Sequence, residues 1–189
     1  LPFVVNIKKN KRLKKNFKIL IKSKFQKRKS IYLALESLLF LSKKYKFKVT
    51  IIGEISTIEH RKYYYKCKNF ISKNNLGNII KLVINLKHNK IYNYYIKHHL
   101  FLLPAANEPA SISLLEAIGY SMPVICSDTC GTRFYVNKKF GKIFKTNKIQ
   151  SLTNTIEFFL KNKKNYEKFS QNSFVHATKH LSEKNYNNY

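Results

Sequence analysis

Residues 100–117 read LFLLPAANEPASISLLEA. The apolar residues at the start predict a buried strand that ends at Pro104. A loop of small residues follows and contains Glu108, and the apolar spacing after it predicts a helix over 111–120. The start of such a helix presents unpaired N–H groups and the positive end of the helix dipole, which favour a bound phosphate. The stretch therefore predicts an anion-binding loop between a strand and a helix.

Strands and helices alternate on both sides of this stretch. Apolar runs predict strands at 17–21, 47–52, 79–84, 100–103 and 124–126, with 142–144 as a candidate sixth. Helical spacing predicts helices at 30–44, from 54 to about 73, 90–97, 111–120, 149–160 and 165–177. Because the strands are apolar on both faces, the pattern indicates an α/β domain, a Rossmann-like parallel sheet with helices on both faces. Ligands of such sheets bind beyond the carboxyl ends of the strands, so we expect the site in the loops after Ile21, Ile52, Leu103 and Cys126.

The chain is strongly basic, with 37 Lys and Arg against 9 Asp and Glu and a formal net charge of +28. A charge of this size suggests anionic partners, namely nucleic acid, phospholipid headgroups or phosphates. Lysine is spread over nearly every segment together with many Asn, Ile and Tyr residues, which favours compositional bias over a dedicated nucleic-acid surface. We therefore expect attraction to phosphates and to an anionic membrane surface, and no sequence-specific nucleic-acid partner.

Cysteine and hydropathy patterns bear on metal binding and location. Cys67, Cys126 and Cys130 are too few and too irregularly spaced for a disulfide framework, and no metal-ligand spacing surrounds them. We expect no metal and a reducing, cytoplasmic location. No run approaches the roughly 18 apolar residues of a membrane span. The chain begins with Leu1 rather than Met, which leads us to expect further residues upstream.

Two glutamates distinguish the opening stretch. Glu108 lies at the mouth of the loop, and Glu116 lies about a turn and a half into the predicted helix. A glutamate before a helix is often only its cap, and one inside a helix usually belongs to a solvated face. The combination Glu-Pro, then five residues, then Leu-Glu-Ala, all after a buried strand, is much more specific than either residue alone.

This block resembles the signature of the retaining glycosyltransferases of group 1, in the C-terminal, donor-binding domain of their GT-B fold. The resemblance continues through residues 122–128 (MPVICSD) to Gly131, where the family has a Pro-Val-Ile strand and a glycine-containing loop. The segment 23–30 is similar to the family's loop after the first strand of this domain. There a basic residue and, five positions later, a lysine contact the donor diphosphate, and Lys24 and Lys29 fall at those positions.

The resemblance implies transfer of a sugar from a nucleotide-diphosphate sugar to an acceptor hydroxyl, with retention of configuration and without a metal or other cofactor. Glu108 would hold the donor hexose and Glu116 the ribose hydroxyls. Lys24 and Lys29 would neutralise the diphosphate. The phosphate cradle would be completed by backbone N–H groups of Ser111, Ile112, Ser113 and Leu114.

The resemblance also divides the chain. Residues 1–16 are similar to the end of an interdomain hinge with a basic lead-in, and residues 17–175 to the nucleotide-sugar-binding domain, which leaves 176–189 as a C-terminal helix or tail. The acceptor, a glycan or a lipid-linked acceptor, would bind a separate N-terminal domain that is absent from this chain. The whole protein would then build a cell-envelope polysaccharide or glycolipid at the inner face of a membrane.

Several positions depart from the family pattern. Ala110-Ser111 stands where Phe-Gly is usual, and His99 stands where Asp is common. Ser23 and Ser121 each replace a usual Gly. These differences bear on the identity of the donor and on the level of activity.

Two alternative functions remain open at this point. The nucleotide-sugar 2-epimerases share the fold but lack this glutamate block. A basic module that binds nucleic acid or anionic lipid would explain the charge but not the glutamates. Of the other candidate residues, we expect His98 and His99 to be structural. Asp128, the single aspartate, either caps the turn that follows it, which we favour, or orients the loop near the donor.

Overall fold

A six-stranded sheet forms the centre of the computed structural model, which describes residues 4–9 and 16–182. The strands are β1 (Lys18–Lys24), β2 (Lys48–Glu54), β3 (Ile80–Ile84), β4 (Leu100–Leu103), β5 (Val124–Ser127) and β6 (Gly141–Phe144). Their order is β3-β2-β1-β4-β5-β6, and all neighbouring pairs are parallel. The predicted parallel sheet is confirmed, including its candidate sixth strand. Part of the predicted hinge and most of the basic lead-in lie outside the described residues.

Helices cover both faces of the sheet, as predicted. They are α1 (Ile31–Ser42), α2 (Ile58–Lys73), α3 (Tyr92–Lys97), α4 (Ile112–Gly119), α5 (Ile149–Lys161) and α6 (Tyr166–His180). Successive strand residues point to opposite faces. Leu100 and Leu102 of β4 therefore pack in the core that contains α1, α2 and α5, and Phe101 and Leu103 pack with α3, α4 and α6. Each such buried side chain stabilises the fold by about 1.5–3 kcal/mol.

The strand order reverses between β1 and β4, and this reversal determines where a ligand can bind. Loops that leave neighbouring strands toward opposite faces open a crevice at the carboxyl ends of those strands. The end of β1 and the turn after it carry Lys24 and Lys29, and the loop after β4 carries Glu108. The two loops are joined directly, because the Ala106 N–H donates to the Arg28 carbonyl at 2.8 Å.

The end of α4 explains one departure from the family pattern. Ser121 follows the helix in the left-handed region with a φ of 58°, a conformation that favours glycine. The Ser121 hydroxyl donates to the Lys8 carbonyl at 2.7 Å, and the Lys8 N–H donates to the Gly119 carbonyl at 2.9 Å. The serine therefore anchors the segment 4–9 across the end of α4, which a glycine could not do.

The domain extends beyond its predicted boundary between residues 175 and 176. The helix α6 runs through this point without a break. Ala177 and Leu181 are fully buried in the same core as α4. The described part of the C-terminal segment therefore packs as part of the domain.

Candidate functional site

A cleft of about 680 Å³ opens at the carboxyl ends of the strands, beside the reversal of strand order. Most of the residues that the sequence predicts for the site line this cleft: Lys24, Lys29, Glu108, Ser111, Ile112 and Ser113. The structure thus brings both predicted lysines, the first glutamate and the start of α4 around one space. Leu114 and Glu116 do not line it.

Glu108 is the most buried carboxylate of this cleft. Only 8% of Glu108 and 8% of Lys29 is exposed. The Lys29 ammonium donates to Glu108 Oε2, and the Arg28 guanidinium donates to the same oxygen at 3.0 Å. A buried carboxylate without a partner would be strongly destabilising, and these two cations offset the cost of its burial. Glu108 Oε1 accepts no hydrogen bond from the described residues and is left for a ligand.

The turn after β5 fixes the loop around Glu108 through hydrogen bonds. The Gly131 N–H donates to the Glu108 carbonyl at 2.7 Å. A Cβ atom on Gly131 would lie 1.7 Å from the Pro109 carbonyl oxygen, so only glycine permits this approach. The Asn107 N–H donates to Thr129 Oγ1 at 3.0 Å. Together these contacts fix the backbone that presents the carboxylate.

The start of α4 excludes the alternative that Glu108 is only a helix cap. Ser111 is the N-cap of the helix, so Glu108 is not its cap. Ser111 Oγ accepts from the Leu114 N–H at 3.3 Å. The Leu114 N–H, which the sequence predicts to face a phosphate, is thus bonded to the N-cap in the structure. The N–H groups of Ile112 and Ser113 make no hydrogen bond to the described backbone and remain candidates for a phosphate cradle.

Glu116 lines a second cleft, of about 990 Å³, which adjoins the first. The two clefts share three lining residues: His88, Ile91 and Ile112. Glu116 Oε2 accepts from Lys22 Nζ at 2.9 Å and from the Tyr95 hydroxyl at 2.7 Å. Its side chain is only 21% exposed, so it does not belong to a solvated face. The two glutamates therefore lie in two neighbouring clefts that form one continuous surface.

Lys24 lies at the rim of the first cleft. Its side chain is 49% exposed, and its ammonium lies 3.4 Å from Glu54 Oε2. An exposed ion pair of this kind contributes only about 0–1 kcal/mol. Lys24 can therefore exchange Glu54 for a bound anion at little energetic cost, whereas Lys29 is held firmly by its buried partner.

His98 and His99 are buried and bonded within the fold. His98 Nε2 lies 2.9 Å from Thr50 Oγ1, and His99 Nδ1 accepts from the Lys18 N–H at 3.1 Å. The His99 ring also stacks on Phe17, with the ring centroids 5.4 Å apart. These contacts give both histidines a structural role, as expected from their position at the entry to β4.

Asp128 acts differently from its predicted role as a cap of the turn after β5. Its Oδ1 accepts from the Thr146 N–H at 2.9 Å and from the Thr146 hydroxyl at 2.5 Å. These bonds lower the pKa of Asp128 below its ordinary value. The aspartate therefore joins the loop after β5 to the loop after β6, a pairing of distant segments that the local sequence pattern could not indicate.

Three residues of the site were missed by the sequence patterns: Lys22, Arg28 and Tyr95. Lys22 carried a usable signal, because it follows the buried run Ile19-Leu20-Ile21 within a central strand, and a half-buried cation needs a partner. Arg28 lay among other basic residues and Tyr95 among other tyrosines. Nothing in their local sequence separated them from surface residues.

Metal-ligating groups do not cluster in the part of the chain that the structure describes. Within residues 4–9 and 16–182, no group of three or more His, Cys, Asp or Glu side chains could hold a metal ion. The three cysteines are free and buried. In the same ranges, no helix is long and apolar enough to cross a membrane.

The strand order defines the class of the protein, a Rossmann-like domain, and a lysine-lined crevice lies at the reversal of that order. The family model described as "Glycosyl transferases group 1" matches residues 5–176. The chain belongs to this family. No curated protein matches the sequence significantly.

Solved structures share this fold at low sequence identity. Sucrose-phosphate synthase from Thermosynechococcus elongatus superposes with a TM-score of 0.81 at 18% identity, over 92% of this chain and 43% of that chain. The C-terminal domain of a group 1 family glycosyl transferase (LpcC) from Francisella tularensis gives 0.80 at 18% identity, over 88% of this chain and 87% of that chain. Anabaena HepE in complex with UDP-glucose gives 0.78 at 16% identity, over 89% of this chain and 45% of that chain. The chain thus spans less than half the length of two of these three proteins.

Gly131→Ala tests the support behind Glu108. The added methyl group would meet the Pro109 carbonyl, so the loop must shift, and we expect the free energy of unfolding to fall by about 1–3 kcal/mol, the usual cost of overpacking. Gly77→Ala is the matched control, because nothing lies within 4 Å of its added Cβ atom. We expect it to stay within about 0.5 kcal/mol of the unchanged chain in urea unfolding. Equal effects at the two positions would contradict the assigned role of Gly131.

Proposed function

We propose that the chain binds a nucleotide-diphosphate sugar and is the donor-binding half of an enzyme that transfers this sugar to an acceptor hydroxyl with retention of configuration. The observation that carries the proposal is the placement of two ion-paired glutamates in adjoining clefts, the first of which lies at the carboxyl ends of the strands. Each carboxylate is neutralised through one oxygen and has its other oxygen unoccupied by the described residues. Such a pair suits a ligand that has a neutral, hydroxyl-rich sugar at each end of a diphosphate.

Each part of the donor has a matching group in the two clefts. Glu108 Oε1 would accept hydrogen bonds from the sugar hydroxyls, and Glu116 those from the ribose. The diphosphate would lie between them, against Lys24 and Lys29 and the N–H groups of Ile112 and Ser113. An ammonium has three N–H donors, so Lys29 can keep its bond to Glu108 while it contacts a phosphate oxygen.

Charge develops on the diphosphate as the bond to the sugar breaks. Lys29 and the start of α4 are held by their contacts before the reaction, so they would stabilise this charge with little reorganisation. Lys24 would join them by exchanging Glu54 for the diphosphate. A group of this kind contributes about 10²-fold or more in rate when it is fixed in advance. The proposal assigns the neutralisation of the leaving group to these cations and requires no metal.

The acceptor side of the reaction would come from another domain. HepE, which superposes on this chain over 45% of its length, was determined in complex with UDP-glucose, and this supports uridine nucleotides as the first donors to test. The formal charge of +28 would favour an acceptor or a membrane surface that carries negative charge. We propose a lipid-linked or glycan acceptor for the whole protein, in cell-envelope glycan synthesis at the cytoplasmic face of a membrane.

The two glutamates should respond differently to substitution by glutamine. Glu116→Gln removes a charged acceptor of the ribose, worth about 1.5–3 kcal/mol, and should weaken binding of the bare nucleotide diphosphate by about one to two decades. Glu108→Gln keeps a side-chain oxygen that can accept from Lys29, so it should change binding of the bare nucleotide little and abolish the extra affinity that the attached sugar provides. Calorimetric titration with uridine, guanosine and adenosine diphosphates and their glucose conjugates measures both effects.

Glu36→Gln is the control for these titrations, because Glu36 lies on α1 and lines neither cleft. It should bind every ligand like the unchanged chain. If Glu108→Gln and Glu116→Gln treat the nucleotide and its sugar conjugate alike, the division of roles between them is wrong.

The isolated chain should bind a donor but transfer its sugar poorly. Effective transfer requires the acceptor to be held in line with the sugar, and this positioning supplies a large share of the rate. We expect slow hydrolysis at most when residues 1–189 are incubated with a donor that they bind and with simple glycoside or lipid-linked acceptors, followed by product chromatography. Rapid turnover with an acceptor would show that this chain holds both substrates itself.

A further inference from the structure

Lys22 is an unusual residue for its place in the fold. It lies in the central strand β1, directly after three fully buried residues, Ile19 to Ile21. Its ammonium donates to Glu116 Oε2 at 2.9 Å and lies 5.7 Å from the centre of the Tyr95 ring. A partly buried cation in such a strand is unfavourable unless it is paired, and its pairing here crosses from β1 to α4.

Tyr95 approaches the same carboxylate from a third element, α3. Its side chain is fully packed, with 2% of the residue exposed, and its ring stacks on Tyr120 with the centroids 5.3 Å apart. The Tyr95 hydroxyl donates to Glu116 Oε2 at 2.7 Å. Burial and the neighbouring Glu116 raise the pKa of Tyr95 well above its ordinary value, so the hydroxyl keeps its proton and remains a donor.

Lys22 and Tyr95 both donate to the same carboxylate oxygen of Glu116. Glu116 Oε2 receives both Lys22 and Tyr95, and Oε1 accepts no hydrogen bond from the described residues. A carboxylate held through one oxygen by a cation and a buried hydroxyl has little freedom to rotate. Its second oxygen retains two lone-pair positions, which is enough to accept two neighbouring hydroxyl groups.

We propose that Lys22 and Tyr95 are positioning residues that clamp Glu116 through Oε2, so that Oε1 alone receives the two ribose hydroxyls and selects ribonucleotides over 2′-deoxyribonucleotides. The inference rests on the proposed function, because it requires that a nucleotide lies beside Glu116. It goes further by assigning sugar selectivity in the nucleotide to two residues that act through Glu116.

The clamp is tested by the ratio of two Kd values, that of a 2′-deoxyribonucleotide divided by that of the matching ribonucleotide. Calorimetry with the whole chain gives the Kd values of uridine diphosphate and 2′-deoxyuridine diphosphate, with the guanosine and adenosine pairs measured in parallel. A lost hydrogen bond to a fixed carboxylate should make the deoxy form bind about tenfold more weakly to the unchanged chain. In Tyr95→Phe and in Lys22→Met, the ratio should fall to about two or three, because the carboxylate is no longer fixed. The ratio cancels the loss of general attraction to phosphate that Lys22→Met also causes.

A double-mutant cycle separates action through Glu116 from direct contact. In the Glu116→Gln background, Tyr95→Phe should leave the ratio unchanged. Tyr64→Phe, on α2 and outside both clefts, is the control and should keep the ratio of the unchanged chain. Thermal melting confirms that each variant is folded, and Lys22→Met provides an independent reading if Tyr95→Phe is unstable.

The possible outcomes are distinct. Nucleotide binding with an unchanged ratio in folded Tyr95→Phe and Lys22→Met overturns the clamp and leaves the proposed function in place. If Tyr95→Phe lowers the ratio equally in the unchanged chain and in the Glu116→Gln background, the clamp is also overturned, because Tyr95 would then act on the ligand directly. Failure of the unchanged chain to bind any of the nucleotides overturns the proposed function and the clamp together.

Discussion

The buried ion pair between Glu108 and Lys29 is the interaction on which the site depends. It joins the turn after β1 to the loop after β4 across the point where the strand order reverses. A charged group that is 8% exposed would be costly alone, so each partner requires the other. The main-chain bond from Ala106 to Arg28 holds the same two loops together, and the bond from Gly131 to Glu108 ties the loop after β4 to the turn after β5. The crevice is thereby kept in one shape.

The second glutamate repeats this arrangement with different partners. Glu116 is held by Lys22 and Tyr95 in the adjoining cleft, again through a single oxygen. Each carboxylate is neutralised by its partners and keeps one oxygen that can accept a further hydrogen bond. Such a group suits a sugar hydroxyl better than it suits a cation. The excess of lysine around them suits the phosphates between the two sugars. In the proposed complex, the lysines and the two glutamates of the clefts would therefore bind one ligand.

The sequence predicted the fold and the main site residues because their signals are local. Apolar runs and helical spacing marked all six strands and six helices, and the spacing of Glu108 and Glu116 marked the loop and helix that carry them. The hydrogen-bond partners of the two glutamates were not predictable in the same way. Lys22 meets Glu116 across 94 residues, and Arg28 meets Glu108 across 80, so only the folded sheet brings them together. The role predicted for Asp128 differs from the observed one for the same reason, because its partner Thr146 lies 18 residues away.

The central claim is that the two glutamates divide a nucleotide-sugar between them. A crystal structure of the chain with uridine diphosphate glucose tests it most directly. The account predicts ribose hydroxyls within hydrogen-bond distance of Glu116 Oε1, at about 2.5–3.0 Å, the diphosphate against Lys24 and Lys29, and the hexose beside Glu108. A nucleotide bound away from both clefts, or one bound in the reverse orientation with its ribose at Glu108, would contradict the account.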